Sequence, residues 1–217
     1  MNRRLNASSS AVAPVQDSTW PPRDDLSRFA LRRIASGVAV LTVSQNGLAH
    51  GATVNAITAI SRDPVVLGVC LRTSSVLADM AMRVGLFSVN VLTREQSALA
   101  TRFAQPGRRP GAAQFRGLEW SADRRTAAPL LAGCLAHLGC RVAGHHQIGD
   151  HDLIVAEVID GAAGHGSPLL TFAGRLHGAD PDLALVSPIV APSAPTSSPH
   201  LFSAGPQSPD NPMERSK

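Results

Sequence analysis

Residues 38–55, VAVLTVSQNGLAHGATVN, decide the architecture. Val38 to Ser44 is a β-branched, largely apolar run, and such side chains favour the pleated surface of a sheet. Asn46-Gly47 follows, the dipeptide that most readily takes the two positive φ angles of a type I′ turn. Leu48 to Asn55 is then the returning strand. An apolar run, a two-residue turn and a second apolar run make an antiparallel hairpin.

The same reading extends outward in both directions. Upstream, Asp24 or Asp25 caps a predicted helix whose apolar face is Leu26, Phe29, Ala30, the stem of Arg33 and Ile34, ending at Ser36-Gly37. Downstream, Val65 to Leu71 is an apolar strand beginning just after Pro64. Ser74 to Arg83 is a helix with Leu77, Met80 and Ala81 inward, and Leu86 to Leu92 is a buried strand. Glu95 to Ala104 is a helix capped by Thr93. Residues 105–117, rich in Gly, Pro and Arg, are a long loop. Leu135 to Val142, Leu153 to Ile159 and Leu169 to Phe172 complete the strands. Many strands, few helices and hairpin-length links predict a mainly β chain built as a closed or partly closed barrel.

The 217 residues are 44% hydrophobic and 17% charged, which suits one globular domain with sequence to spare at its ends. Residues 1–22 and 181–217 are rich in Ser, Ala and Pro and too poor in large apolar side chains to offset ordering entropy. They are expected to be a disordered leader and a disordered tail around a folded domain at 23–180. No apolar run is long enough to span a bilayer, and no secretory leader is recognisable, so a cytoplasmic protein is expected.

Composition removes whole chemistries. The only lysine is Lys217, all other basic residues being arginine, which leaves no Schiff-base lysine and no phosphate-loop lysine. Three cysteines, Cys70, Cys134 and Cys140, form neither a disulfide framework nor a C-x-x-C metal site. His145, His146 and His151 with Asp150 and Asp152 would point to different faces of strand and turn, against a metal cluster. No serine-nucleophile elbow occurs, and Gly161 to Gly166 (GAAGHG) is a turn rather than a dinucleotide fingerprint. No block of basic residues with interleaved aromatics suggests a nucleic-acid surface. The net charge of +4 is compatible with small phosphate-bearing ligands.

Eight stretches, in order, resemble the flavin reductase family of two-component monooxygenases. They are FALRRIASGVAVLT (29–42), HGATVNAITAIS (50–61) with Asp63-Pro64, FSVNVL (87–92), RFA (102–104), Pro129-Leu130 with LAHLGCRV (135–142), Gly149-Asp150-His151, Glu157-Val158, and Pro168-Leu169-Leu170 with Gly174-Arg175. The resemblance spans about 150 residues. It departs from the family's usual pattern at Ala56-Ile57, where Ser-Phe is common, and at Leu176, where an aromatic is common.

The resemblance implies an FMN-binding split β-barrel, usually homodimeric, with flavin near the subunit interface and NAD(P)H stacking on it. Carried over residue by residue, Thr53, Val54, Asn55 and Ala56 lie along the flavin ring and ribityl chain. Ser61, Ser74 and Ser75 lie near its phosphate-bearing tail, with Phe103 and Ala104 nearby. His151 approaches the nicotinamide nucleotide as the catalytic candidate, flanked by Arg175 and His177. The implied activity is NAD(P)H-dependent reduction of FMN or FAD for a separate oxygenase. The alternatives are a non-catalytic flavin carrier on the same barrel, or a flavin enzyme oxidising its own organic substrate. Hydride transfer between two bound cofactors requires little beyond positioning. Gly51-Ala52-Thr53-Val54-Asn55 supplies small residues for close approach, and Thr73-Ser74-Ser75 leads into a helix start that can face a phosphate.

Overall fold

The computed structural model describes residues 25–179. The leader expected over 1–22 and the tail expected over 181–217 lie outside the described residues. The predicted hairpin is present as β2 (Ala39–Gln45) and β3 (Leu48–Val54), paired from Gln45–Leu48 to Ala39–Val54. Asn46 and Gly47 both take positive φ, 51° and 78°.

Seven strands form one antiparallel sheet. Besides β2 and β3 these are β4 (Ile57–Arg62), β5 (Val65–Arg72), β6 (Leu86–Val91), β9 (Ala136–Ile148) and β10 (His151–Ala163), in the order β3-β2-β6-β9-β10-β5-β4. The two edge strands, β3 and β4, are consecutive in sequence and separated only by Asn55 and Ala56. Two residues reach about 10 Å. The sheet must therefore roll up until its edges nearly meet. Cys70 N–H donates to Ala56 O at 2.9 Å and fastens the link to β5. No ladder joins β3 to β4 among the described residues, so the barrel is split rather than closed.

Strand β2 is buried on both faces, and its two sets of alternate residues enter two different cores. Ala39, Leu41 and Val43 face the barrel interior with Val69, Phe87, Val89 and Ile154. That interior is closed by α2 (Val76–Val84) through Leu77, Ala78, Met80 and Ala81. Val40, with Val38 just before the strand, packs outward against Leu92, Phe103, Phe115, Leu131 and Leu169. The outer layer is carried by α3 (Ser97–Ala104) and the hairpin of β7 (Trp120–Ala122) and β8 (Pro129–Leu131). Asn90, fully buried, pins that hairpin: its Nδ2 donates to Val40 O, Thr42 Oγ1 and Pro129 O, and its Oδ1 accepts from Leu131 N–H at 2.7 Å.

A third, three-stranded sheet joins β1 (Ser36–Gly37), β11 (Leu169–Phe172) and β12 (Arg175–Gly178). All three cysteines are free thiols, and burial pushes Cys134 up to about 11 and Cys140 to about 12.

Several elements differ from the sequence reading. The first helix, α1 (Asp25–Leu31), stops early, and Phe29 and Ile34 are 57% and 66% exposed rather than inward. Among the described residues, Arg33 lies over the Phe29 ring, 4.9 Å from its centroid. The helix expected from Glu95 begins as a short 3-10 turn at Arg94–Gln96. The loop at 105–117 contains a second such turn at Ala112–Phe115. Strands β9 and β10 run to 13 residues each, and Gly161–Ala163 continue β10 instead of turning. β4, the β7–β8 hairpin and β12 had no strand reading from sequence. β4 is short and mostly exposed, so it carries no long apolar run.

Candidate functional site

A cleft of about 510 Å³ opens where β3 leaves the sheet. Four segments distant in sequence meet there. Ala52, Thr53, Val54 and Asn55 come from the end of β3; Cys70 to Arg72 from the end of β5; Ser74, Ser75 and Val76 from the entry to α2; and Phe103 to Arg108 from the end of α3 and the loop after it. His151, the first residue of β10, completes the rim. None of the described residues lining it is acidic, whereas Arg72, Arg108, His50 and His151 all do.

The sheet edge explains how these parts are held. β3 has a partner on one side only, and an open edge leaves backbone groups to be satisfied by other means. The loop after α3 does this. Gly111 N–H donates to Ala49 O at 2.7 Å, and Gly51 N–H donates to Gln114 Oε1 at 3.1 Å. Arg108 Nη2 donates to Gly51 O at 3.2 Å. Thr53 Oγ1 donates to Ala100 O at 2.7 Å, tying the strand to α3. Gly51 is required by close packing: a Cβ there would stand 2.7 Å from the Phe103 ring.

The Gln114 amide also fixes a tautomer. With Oε1 accepting from Gly51, Nε2 donates to Arg109 O at 2.6 Å and faces His50 Nδ1 at 2.7 Å. Nδ1 is therefore an acceptor, and the His50 proton sits on Nε2. Burial, then the neighbouring Arg108 charge, lowers the His50 pKa to about 4, so the ring is neutral at pH 7. Arg108 is itself lowered by burial but keeps its charge. Its Nε and Nη1 are buried without a hydrogen-bond partner.

At the opposite rim, His151 Nδ1 lies 2.8 Å from Asp150 Oδ1. That hydrogen bond holds the Asp150 carboxyl below its usual range. Asp150 O accepts from Thr73 N–H at 3.1 Å, which sets the β9–β10 turn beside the α2 entry. The Ser75 side chain caps α2, accepting from Ala78 N–H at 3.5 Å.

Of the residues expected from sequence, Thr53, Val54, Asn55, Ser74, Ser75, Phe103, Ala104 and His151 line this one cleft. Phe103 is 1% exposed, so its ring supports the wall from within the outer core. Ala56 lines a neighbouring groove with Leu31, Ile34 and Ile57. Ser61 lies on β4, and Arg175 and His177 are exposed on β12; none of the three is among the cleft's lining residues. His50, Arg108 and Gln114 were not singled out by sequence. The signal for His50 lay in the quoted 50–61 stretch, but Arg108 sits in a loop whose course only the fold reveals.

The family described as flavin reductase like domain matches residues 31–180. The NADPH-flavin oxidoreductase of Streptomyces viridifaciens is 41% identical over 151 residues, covering 69% of this chain and 78% of its own length. The crystal structure of the flavin reductase component of a bacterial two-component tryptophan halogenase superposes with a TM-score of 0.67. It is 30% identical and covers 71% of this chain and 98% of that one. The NADH:FAD oxidoreductase of Streptomyces globisporus C-1027, solved with NAD and FAD fragments, superposes with a TM-score of 0.67 at 29% identity, covering 75% of this chain and 99% of that one.

Proposed function

Because this chain belongs to the flavin reductase-like domain family, we propose that it is an NAD(P)H:flavin oxidoreductase delivering reduced FMN or FAD to a separate oxygenase component. One observation carries the reading. Three of the stretches that resemble the family, 50–61, 102–104 and 149–151, meet the entry to α2 at a single cleft whose described lining holds four cationic or imidazole side chains and no carboxylate.

The residues fit a phosphate-bearing flavin. Ala52, Thr53 and Val54 present a wall of small side chains to a planar ring, and Asn55 adds an amide at its end. Ser74 and Ser75, at the amino end of α2, face the phosphate-bearing part with backbone N–H groups and hydroxyls. Bound there, flavin supplies the two-electron acceptor for a nicotinamide hydride. His151 orients the nicotinamide nucleotide: with Nδ1 donating to Asp150, Nε2 is left free as an acceptor.

Anaerobic mixing of the protein with FMN or FAD and NADH or NADPH tests the reading. Bleaching of the visible flavin band at catalytic protein levels is the expected result, and the four pairings identify the preferred cofactors. Tight flavin binding without bleaching would leave only a carrier. Oxidation of an organic substrate with no second protein would point to a self-contained flavin enzyme.

His151→Ala is expected to raise KM for NAD(P)H, or slow hydride transfer, by about tenfold while leaving flavin affinity within twofold. Titration of flavin fluorescence beside single-turnover kinetics separates the two effects. Unchanged kinetics would remove His151 from the site.

A homodimer and a cytoplasmic setting belong to the same proposal. Phe29, Leu31 and Ile34 are exposed, and Leu31 and Ile34 border an apolar groove with Ile57 and Leu153. A second copy of the chain would cover them. No helix among the described residues is long and apolar enough to cross a membrane.

A further inference from the structure

Residues 105–111, QPGRRPG, form a strap beside the cleft, and the first four of them line it. Pro106-Gly107 and Pro110-Gly111 bracket Arg108-Arg109, so each stiff point adjoins a glycine, and both glycines take positive φ, 74° and 131°. On either side of the strap, Phe103 and Phe115 are anchored in the outer core with ring centroids 5.4 Å apart. Three hydrogen bonds hold the strap closed. Arg108 Nη2 donates to Gly51 O, Gly111 N–H donates to Ala49 O, and Arg109 O accepts from Gln114 Nε2 at 2.6 Å. Gln114 is itself seated on β3, its Oε1 accepting from Gly51 N–H and its Nε2 facing His50 Nδ1. It is buried and is not among the cleft's lining residues. Opposing these bonds, Arg108 Nε and Nη1 are enclosed without a partner, a penalty relieved once water reaches the guanidinium. The two effects are of the same order, so the closed form is held by a small net difference.

We propose that this strap is a gate on the flavin cleft and that Gln114 is its latch, a positioning residue that sets how fast flavin enters and leaves. The inference rests on the flavin reductase reading, in which reduced flavin must leave the protein for its oxygenase. Opening turns at Gly107 and Gly111 while Phe103 and Phe115 stay in the core. Arg109 O then lets go of Gln114, which remains on β3 through Gly51 and His50. Empty and loaded protein share the closed strap, so loosening the latch raises the open population of both by the same factor. Association and dissociation speed up together and affinity hardly moves. A residue that merely braces the wall would speed dissociation alone.

Stopped-flow quenching of FMN fluorescence gives the association and dissociation rate constants of the unaltered protein and of Gln114→Met, which keeps the side chain's length and removes its hydrogen bonds. Both constants are expected to rise about tenfold in the variant, with Kd staying within about threefold. Faster dissociation alone with a matching rise in Kd, or no change in either constant, overturns the gate. Amide exchange at Gly111, followed by NMR in the unaltered protein, carries the test should Gln114→Met fail to fold. That N–H is bonded to Ala49 O in the closed strap, and Gly111 does not line the cleft. Saturating FMN should therefore slow its exchange by about fivefold or more, through closure of the strap. Equal exchange with and without FMN overturns the proposal. Absence of any FMN quenching overturns the flavin reading instead; faster Gly111 exchange in Gln114→Met than in the unaltered protein would then still establish the latch.

Discussion

Phe103→Ala is expected to destabilise the protein by about 3–5 kcal/mol and to weaken flavin binding together with it. The ring is 1% exposed and packs in the outer core with Val40, Leu92 and Leu131, its centroid 5.4 Å from that of Phe115. On its other side it lies against the backbone of β3 at Gly51, where even a methyl group would collide with it. Truncation leaves a cavity that neighbouring strands cannot collapse to fill, because β2 and β3 are fixed by their ladder. The wall formed by residues 104–108 loses its support at the same time. For a domain of this size the melting temperature should fall by roughly 10 °C, and flavin affinity by about tenfold. Differential scanning calorimetry and fluorescence titration check both. Phe103→Leu should recover most of each. Lost affinity at an unchanged melting temperature would mean that the ring touches the ligand directly and does not merely hold the wall.

Acid should destabilise the fold through His50. The ring is 4% exposed, and burial followed by the Arg108 charge lowers its pKa from 6.5 to about 4. Between these values the unfolded chain binds a proton that the folded chain refuses, so stability rises with pH. The contribution is complete above about pH 6.5 and is lost as pH falls towards 4, a loss of roughly 3 kcal/mol. Protonation of Nδ1 would also abolish its hydrogen bond from Gln114. Asp123 does not confuse this window. Burial raises its pKa, but hydrogen bonds from Arg125 N–H, Ser88 and Thr126 more than offset that and hold it below 3.8. Urea unfolding at pH 7, 5 and 4 measures the slope. His50→Gln, less stable at pH 7, should be nearly flat across the interval. Parallel curves for the two proteins would contradict the assignment.

Much of this protein was legible from the chain alone, for local reasons. Asn46-Gly47 states its turn type because few other residues take positive φ twice in succession. Leu77, Ala78, Met80 and Ala81 are buried on α2 as their helical spacing requires, and Ser75 and Gly85 bound that helix with an N-cap and a left-handed C-cap. Strands β2, β5 and β6 are buried apolar runs, readable without knowing what buries them. Eight of the twelve expected site residues line one cleft.

What the sequence by itself determined is therefore the Asn46-Gly47 turn and the types of the strongly patterned elements, since both follow from how each residue weighs its own φ, ψ and side-chain entropy. The tertiary structure alone decided which edge of the sheet stays open and which loop covers it. It placed Gln114 on Gly51 N–H, set Arg108 beside His50, and left Arg175 and His177 away from the cleft lining. Those outcomes depend on satisfying backbone groups between segments about 60 residues apart, such as Gly51 and Gln114. No local pattern encodes a partner at that distance, because the need for one exists only once the strand has become an edge.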